Sequence, residues 1–366
     1  MKKIPLFFVP FLIVGMILFS GCGKELNIAE FNNAPRGISI SDTVYVKEGE
    51  DWKKAGALEF NQPEDIYIGH DGFVYIADTG NDRVVMLDLA GNYVGEKRIL
   101  HPVAIAQDRR FNLIVAGELE RGGYRYGAIY KIRLFESAHN INMAKVDTIY
   151  WEPEKPARRF TGVAELIDNS YYVCRVGPDN TSLFDPDNMI LHFSKNDSLY
   201  PREYVDLTPN LDATGSGIRS INQMSAIATF SDRRRATDFI LAQTDPGANF
   251  KVKWFRFNPG SEVVPPNWEA YFKPNATDLT QQGIFVSPED VTLDTRSNIY
   301  VIDSGLDSLM KFDVRGKLLK ESFGPGKLGD DRLKNPKGVA WFDRILYIAD
   351  TGNNRIVRYR LSTDIR

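Results

Sequence analysis

Two acidic tripeptides in this sequence carry the residues best suited to bind a cation. The sequence PED occurs at positions 63–65 and again at 288–290, and it supplies Glu64, Asp65, Glu289 and Asp290. Carboxylate oxygens are the ligands that Ca²⁺ prefers, and they also pair with cationic organic groups. If the two copies meet near one axis, they predict a cation site, with a solvated rim as the simpler alternative. No resident cofactor is predicted, and Ca²⁺ stays an open alternative.

The other residue types that support catalysis do not form a recognisable motif. No two histidines stand at the spacing of metal ligands; the four are His70, His101, His139 and His192. The sequence shows no nucleophile elbow, phosphate loop or redox cysteine pair. These observations leave the question of an enzyme open but favour a non-catalytic protein.

A ten-residue segment near the N-terminus recurs almost unchanged at the C-terminus. YIADTGNDRV occupies positions 75–84, YIADTGNNRI occupies positions 347–356, and a weaker copy occupies positions 300–309. In each copy an Asp follows a proline by 14 or 15 residues; these are Asp78, Asp303 and Asp350. A recurring segment of this kind predicts a repeated structural unit.

Apolar residues alternate with polar ones around each copy, which is typical of β-strands. The first unit predicts four strands, at Asp65–Ile68, Phe73–Ala77, Val84–Leu87 and Tyr93–Lys97. Weaker units fill the middle of the chain, so that six begin near positions 63, 102, 161, 222, 288 and 336. Four-stranded units at this spacing predict an all-β fold, a six-bladed β-propeller over residues 51–366.

The last unit contains only three predicted strands, whereas an unassigned strand-like segment, Trp52–Phe60, precedes the first unit. We therefore expect an N-terminal strand to complete the C-terminal blade. This closure would leave no exposed sheet edge at the join.

The start of each first strand is expected at the mouth of the central channel. The candidate ligand or metal residues there are Glu64, Asp65, Gln223, Glu289, Asp290 and Lys337. Aromatic and basic residues are favoured at binding surfaces. The candidate rim residues are Tyr124, Arg125, Tyr126, Arg158 and Arg159, with ordinary loops as the alternative.

The N-terminus has the pattern of an export signal. Two lysines precede a 17-residue apolar run that includes two prolines and ends before Gly21-Cys22. A membrane-spanning helix needs about 20 apolar residues, so a cleaved signal is predicted for residues 1–21. The segment around Cys22 resembles the lipobox of bacterial lipoproteins. That resemblance implies a lipidated Cys22, a tether over residues 22–50, and an exported protein held at the cell envelope, at the outer membrane where one exists.

The repeated units themselves resemble NHL repeats, most closely at residues 61–89 and 335–361. The resemblance implies a six-bladed propeller lipoprotein whose repeated motif holds the fold. The motif residues are Asp78, Gly80, Asn81, Arg83, Asp303, Asp350, Gly352, Asn353 and Arg355. Propellers of the gluconolactonase type are similar, and only Glu165 and Asn222 could take the role of their metal ligands.

The charge of the chain argues against one class of partner. A net charge of −3, with no basic block beyond Arg233–Arg235, does not favour nucleic acid. The leading hypothesis is a lipid-anchored, non-catalytic binding or scaffold module for a protein or small ligand. The alternatives are a metal-dependent hydrolase or lactonase in the channel, and a sugar or peptide binder that serves an uptake system.

Overall fold

The computed structural model describes residues 43–201, 209–272, 277–325 and 331–365. The predicted signal and Cys22 lie outside these ranges. In the described residues, antiparallel strands form six small sheets and one separate hairpin. No helix in them is long and apolar enough to span a bilayer.

The strands follow one another along the chain in blade order. Before blade 1 come β1 (Tyr45–Lys47), β2 (Lys54–Ala55) and β3 (Leu58–Glu59). Blade 1 holds β4 (Pro63–Ile68), β5 (Val74–Asp78), β6 (Arg83–Leu87) and β7 (Tyr93–Arg98). Blade 2 holds β8 (Leu100–Gln107), β9 (Leu113–Arg121), β10 (Tyr124–Arg133) and β11 (Lys145–Trp151). Blade 3 holds β12 (Arg159–Glu165), β13 (Tyr171–Val176) and β14 (Met189–Phe193).

Blade 4 holds β15 (Met224–Thr229), β16 (Phe239–Gln243), β17 (Val252–Asn258) and β18 (Asn267–Ala270). Blade 5 holds β19 (Pro288–Leu293), β20 (Ile299–Asp303) and β21 (Ser308–Phe312). Blade 6 holds β22 (Gly338–Phe342), β23 (Ile345–Asp350) and β24 (Arg355–Leu361). Short 3₁₀ turns occur at Thr79–Asn81, Phe135–Ser137, Arg233–Arg235, Thr351–Asn353 and Ser362–Asp364.

The first strand of each blade contacts the first strand of the next, and β22 lies beside β4, so the six blades form a closed ring. These six inner strands run in the same direction and surround a central channel. We call the face where they begin the front face and the face where they end the back face. The six-bladed propeller predicted from the repeats is therefore confirmed.

The ring closes through an N-terminal strand, but not through the predicted segment. β1 pairs with β24, so that Tyr45 lies opposite Leu361. Within Trp52–Phe60 only Trp52 pairs with this blade, opposite Ile356, and the rest folds on itself as the β2–β3 hairpin. Gly56 explains the hairpin, because its φ of +62° turns the chain back.

Two blades lack a regular fourth strand in the described residues. In blade 5 the outer edge makes only two isolated bridges, at Leu318 and Phe323. In blade 3 the expected fourth strand, REYVDL at 202–207, lies outside the described ranges.

The repeated Asp organises the turn between the second and third strands. Asp78 is fully buried, and its carboxylate accepts hydrogen bonds from Asn81 Nδ2 and Arg83 Nε at 2.8 and 2.7 Å. Arg83 therefore pairs with its own blade. Gly80 is required by close approach, because a Cβ there would lie 2.6 Å from the Asn61 side chain. The positive φ of +53° belongs to Asp82 instead.

The C-terminal copy repeats this arrangement. Asp350 accepts hydrogen bonds from Asn353 Nδ2 at 2.9 Å and Arg355 Nε at 2.7 Å. A Cβ on Gly352 would lie 2.6 Å from the carbonyl oxygen of Lys334. In blade 5, where Ser308 replaces the Arg, Asp303 accepts only backbone N–H groups in its turn.

Candidate functional site

The central channel contains a cavity of about 280 Å³ that is lined from the front mouth to the back mouth. All six inner strands contribute to its wall. In four of the six blades the inner strand begins with a β-bulge, an extra residue that re-aims the side chain next to it, and in blade 2 a longer irregularity separates Leu100 from Ala104. Glu64 and Glu289 occupy this bulged position, which explains why the two acidic tripeptides reach the front mouth.

The front mouth is polar, but its charged groups are already paired. Lys337 Nζ lies 2.9 Å from Glu64 Oε1. Glu289 Oε1 accepts hydrogen bonds from the hydroxyls of Ser287 at 3.1 Å and Ser304 at 2.7 Å. The mouth thus combines one ion pair with one carboxylate held by two serines.

Asp65 and Asp290 connect neighbouring blades through backbone amides. Asp65 Oδ2 accepts a hydrogen bond from Ile105 N at 2.6 Å, and Asp290 Oδ2 accepts the equivalent bond from Val339 N at 2.8 Å. Burial raises the pKa of Asp65 to about 7, although the backbone amides oppose the change. Burial also raises the pKa of Asp290 well above its usual range, and the nearby charge of Asp65 adds to this effect.

This donor set does not fit a calcium ion. Ca²⁺ takes six to eight oxygen ligands, and in the described residues no group of three or more Asp, Glu, His or Cys is placed to hold a metal. The Lys337 ammonium lies beside Glu64, and the aspartates already accept backbone hydrogen bonds. The carboxylates at the front mouth therefore connect neighbouring blades and do not form a set of free ligands for a metal.

Two sequence predictions need correction on position. Gln223 does not line the channel, because it precedes β15 and the bulged residue of that blade is Ser225, which does line it. Glu165 and Asn222 do not share a site. Asn222, before β15, contacts Asn188 and Asp245 at the front, each at 2.8 Å, whereas Glu165 ends β12 at the back.

The back mouth holds a charged cluster that sequence reasoning did not assign. His70 Nε2 and Arg109 Nε lie 2.8 and 3.3 Å from the two carboxylate oxygens of Glu165. Glu165 is almost fully buried, and its charge adds to burial in raising the pKa of Tyr67. These residues come from blades 1, 2 and 3. Two of them lie in turns and Glu165 ends a strand, so no repeated pattern in the sequence marks the cluster.

The predicted rim residues differ in exposure: Arg158 is buried, whereas the other four reach the surface of the front face. Tyr124 is 63% exposed beside the Gly122-Gly123 turn, and Tyr126 packs edge-on against Trp151. Arg125 and Arg159 both lie near Glu118, at 3.5 and 3.2 Å. Tyr124, Arg125 and Tyr126 therefore form an accessible aromatic and basic surface on blade 2.

Arg158 is not a rim residue, because it is buried together with Arg175. Both arginines contact Glu152 and Asp185, and Arg158 Nε also lies 2.7 Å from Asp187 Oδ1. A buried arginine fork can join several carboxylates at once. The cluster fixes both the loop at 177–188 and the segment before β12, which no local sequence pattern could indicate.

The loop at 177–188 presents two large apolar side chains to solvent. Leu183 and Phe184 are 87% and 86% exposed at its tip. The loop connects β13 to β14 and so belongs to the front face, on blade 3, the blade that follows the Tyr124 surface of blade 2. We call Tyr124, Tyr126, Trp151, Leu183 and Phe184 the front patch.

Comparison with known proteins supports the fold alone. No family model and no curated protein matches the sequence. A luciferin-regenerating enzyme is 12% identical with a TM-score of 0.57, over 87% of this chain and 95% of the other. An auxiliary nutrient binding protein from Bacteroides ovatus is 10% identical with a TM-score of 0.57, over 88% and 77%. A calcium-binding protein, regucalcin, from Agrobacterium tumefaciens is 12% identical with a TM-score of 0.54, over 87% and 95%.

Proposed function

We propose that this protein is a lipid-anchored, non-catalytic binding module of the bacterial cell envelope, built from NHL-type blades. The observation that carries the proposal is the front patch. Two buried arginines and three carboxylates hold a loop whose tip exposes Leu183 and Phe184. Large apolar groups on a rigid support suit a protein partner, because little conformational entropy is lost when they are covered.

The path of the chain supports a front-facing binding surface. β1 begins at the back face, where Val44 N donates a hydrogen bond to Ser362 Oγ at 3.2 Å. A tether from a lipidated Cys22 would join the ring there. Its roughly 20 residues span at most about 70 Å when extended. The back face would then carry the point of attachment, and the front patch would lie on the opposite face of the ring.

A metal-dependent hydrolase is the weaker hypothesis. The carboxylates that would hold its metal at the front mouth already contact an ammonium, two hydroxyls and backbone amides of this chain. A small-ligand binder remains a second candidate, because a cavity of about 280 Å³ runs along the axis. Known propellers of this shape include a nutrient binding protein as well as enzymes.

The first experiment compares two double variants of the full-length protein in its own envelope. Leu183→Ser with Phe184→Ser removes the apolar tip on the front face. Val263→Ser with Val264→Ser is the matched control, because these exposed valines lie in the loop between β17 and β18 on the back face. We expect crosslinking to a specific envelope protein to be lost only in the first variant. Equal crosslinking by both variants would contradict the proposed surface.

The anchor is tested separately. Cys22→Ser should abolish labelling with a radioactive fatty acid and move the protein from the membrane fraction to the soluble fraction. Retention of the label in that variant would show that the lipid is not on Cys22.

A further inference from the structure

The back mouth of the channel is a cavity end to which every blade contributes. Blades 1, 2 and 3 supply His70, Arg109 and Glu165 on one side. Blades 4, 5 and 6 supply Ser231, Asp294, Ser297 and Trp341 on the other. This second side therefore adds hydroxyl groups, an aromatic side chain and one carboxylate, which accepts hydrogen bonds from Asn298 and Tyr300 of its own blade.

Glu165 has an unused hydrogen-bonding oxygen. Its side chain is 7% exposed, and its Oε2 contacts His70 Nε2 at 2.8 Å. Its Oε1 accepts no hydrogen bond from the described residues, although Arg109 Nε lies 3.3 Å away. A buried carboxylate oxygen without a donor is unfavourable, so a ligand that donates a hydrogen bond would be stabilised there.

The polar groups at the back mouth suit a ligand that carries hydroxyl groups. Glu165 lies between one arginine and one histidine, and the carboxylate of Asp294 is already held by hydrogen bonds from Asn298 and Tyr300, so the mouth offers both acceptors and donors. Arg109 is 44% exposed, which leaves its guanidinium free to move aside and contact a ligand. Hydroxyl groups both donate to a carboxylate and accept from arginine and serine.

Size restricts the ligand further. The cavity that reaches the back mouth is about 280 Å³, just below the range of about 300–1,000 Å³ that is typical for drug-sized molecules. Trp341 adds a flat aromatic surface of the kind that packs against the apolar side of a ring.

We propose that the back mouth binds a small, neutral, polyhydroxylated ligand of monosaccharide size. Hydroxyl groups of the ligand donate to Glu165 and accept from Arg109, while its apolar side packs near Trp341. This inference rests on the proposed binding function and names a ligand class for the channel. A tether of about 20 residues could extend to about 70 Å, a length that would allow such a solute to reach the back mouth.

The test uses the purified full-length protein, with glucose, galactose, mannose and myo-inositol as separate probes. Saturation-transfer NMR and tryptophan fluorescence report binding. We expect at least one probe to bind, and Glu165→Gln to weaken it about tenfold or more, as for a hydrogen bond to a charged group. Glu289→Gln is the matched control, because it changes a carboxylate that lines the same channel at the other end.

A second variant keeps the proposal falsifiable if Glu165→Gln fails to fold. Arg109→Gln changes an exposed side chain, and it should weaken the same probe while the protein stays folded, as circular dichroism would show. Binding of no probe, or equal loss in the Glu289→Gln control, would overturn the back-mouth site. Neither result would affect the front patch, whose crosslinking is measured independently.

Discussion

The hydroxyl of Thr351 in the last blade donates a hydrogen bond of 2.7 Å to the carbonyl of Pro63 in the first. Thr79 makes the equivalent bond of 2.6 Å to Pro102, between blades 1 and 2. The repeated Asp-Thr-Gly sequence therefore joins neighbouring blades as well as shaping its own turn. The bond from Thr351 crosses the junction between blades 6 and 1, where strands from the two ends of the described chain pair with each other.

Thr351→Val should loosen the join between blades 6 and 1. Losing one buried hydrogen bond costs about 1 kcal/mol of folding free energy, and here the chain connects the two blades only through β1, which is held by its pairing with β24. We expect faster amide exchange in β1 and β24. Thr79→Val, the matched change at the next join, should leave exchange in those two strands unaltered.

Removal of β1 should open the ring. A chain that begins at Glu50 lacks Tyr45–Lys47 and exposes the hydrogen-bonding edge of β24, which favours aggregation. We expect a lower melting temperature and concentration-dependent association, measured by calorimetry and light scattering. A chain that begins at Thr43 is the control. Identical behaviour of the two chains would show that Trp52 alone closes the blade.

Asp65→Asn should flatten the dependence of stability on pH. The pKa of this carboxyl is about 7 in the folded ring, against about 3.9 in an unfolded chain. The folded state therefore holds the proton to higher pH, and this contribution to stability is present at pH 4 and lost as pH rises through 7. The amide oxygen of Asn can still accept the bond from Ile105. Between pH 5 and pH 8.5 the melting temperature of the wild-type protein should thus fall further than that of the variant.

Asp88→Asn should change the pH dependence of stability in the opposite direction, because the pKa of Asp88 is lowered in the folded protein. Burial alone would raise the pKa of Asp88, but hydrogen bonds from Asn92 and neighbouring amides outweigh it and lower the pKa. The contribution of this carboxylate to stability should be present at neutral pH and disappear only as pH falls below about 4. If both variants changed the loss of melting temperature between pH 5 and pH 8.5 equally, the assignment of that loss to Asp65 would be wrong.

Gly338→Ala should strain the contact between blades 6 and 1. A Cβ at this position would lie 2.8 Å from the Asp65 Cα, and backbone atoms on both sides leave no room for adjustment. Overpacking of this kind typically costs about 1–3 kcal/mol. Gly247→Ala, where the nearest atom would be 3.5 Å away, should change the unfolding free energy by less than about 0.5 kcal/mol.

Arg158→Ala should release the loop at 177–188. The change leaves Glu152, Asp185 and Asp187 short of a buried partner, which typically costs about 3–5 kcal/mol. We expect rapid proteolytic cleavage within the loop. Arg125→Ala, at an exposed ion pair, should leave the loop protected, because such pairs contribute little.

The blade architecture was predictable because each unit repeats a local pattern. Alternating apolar residues placed the four strands of blade 1 within about two residues of their observed bounds. The closing strand was missed because Tyr45–Lys47 is only three residues long, whereas Trp52–Phe60 has a stronger alternating pattern. A short edge strand is defined by its partner, and the sequence does not show the partner.

Side-chain positions were predictable only where the repeat is strict. Glu64 and Glu289 lie at the front mouth because the same tripeptide begins both strands. Gln223 was misplaced by two residues, since no proline marks the start of β15. The cluster of His70, Arg109 and Glu165 combines residues from the back ends of three different blades, and only the closed ring brings them together.

The pairing of β1 with β24 also constrains when the protein can finish folding. Val44 and Ser362 are 318 positions apart, so the contact has a very high sequence separation and is slow to form. During synthesis the N-terminal strand waits without a partner until nearly the whole chain has been made. Blades 1 to 5 can form as local hairpins in the meantime, whereas blade 6 can be completed only last. The folding rate of the ring should therefore be set by its closure.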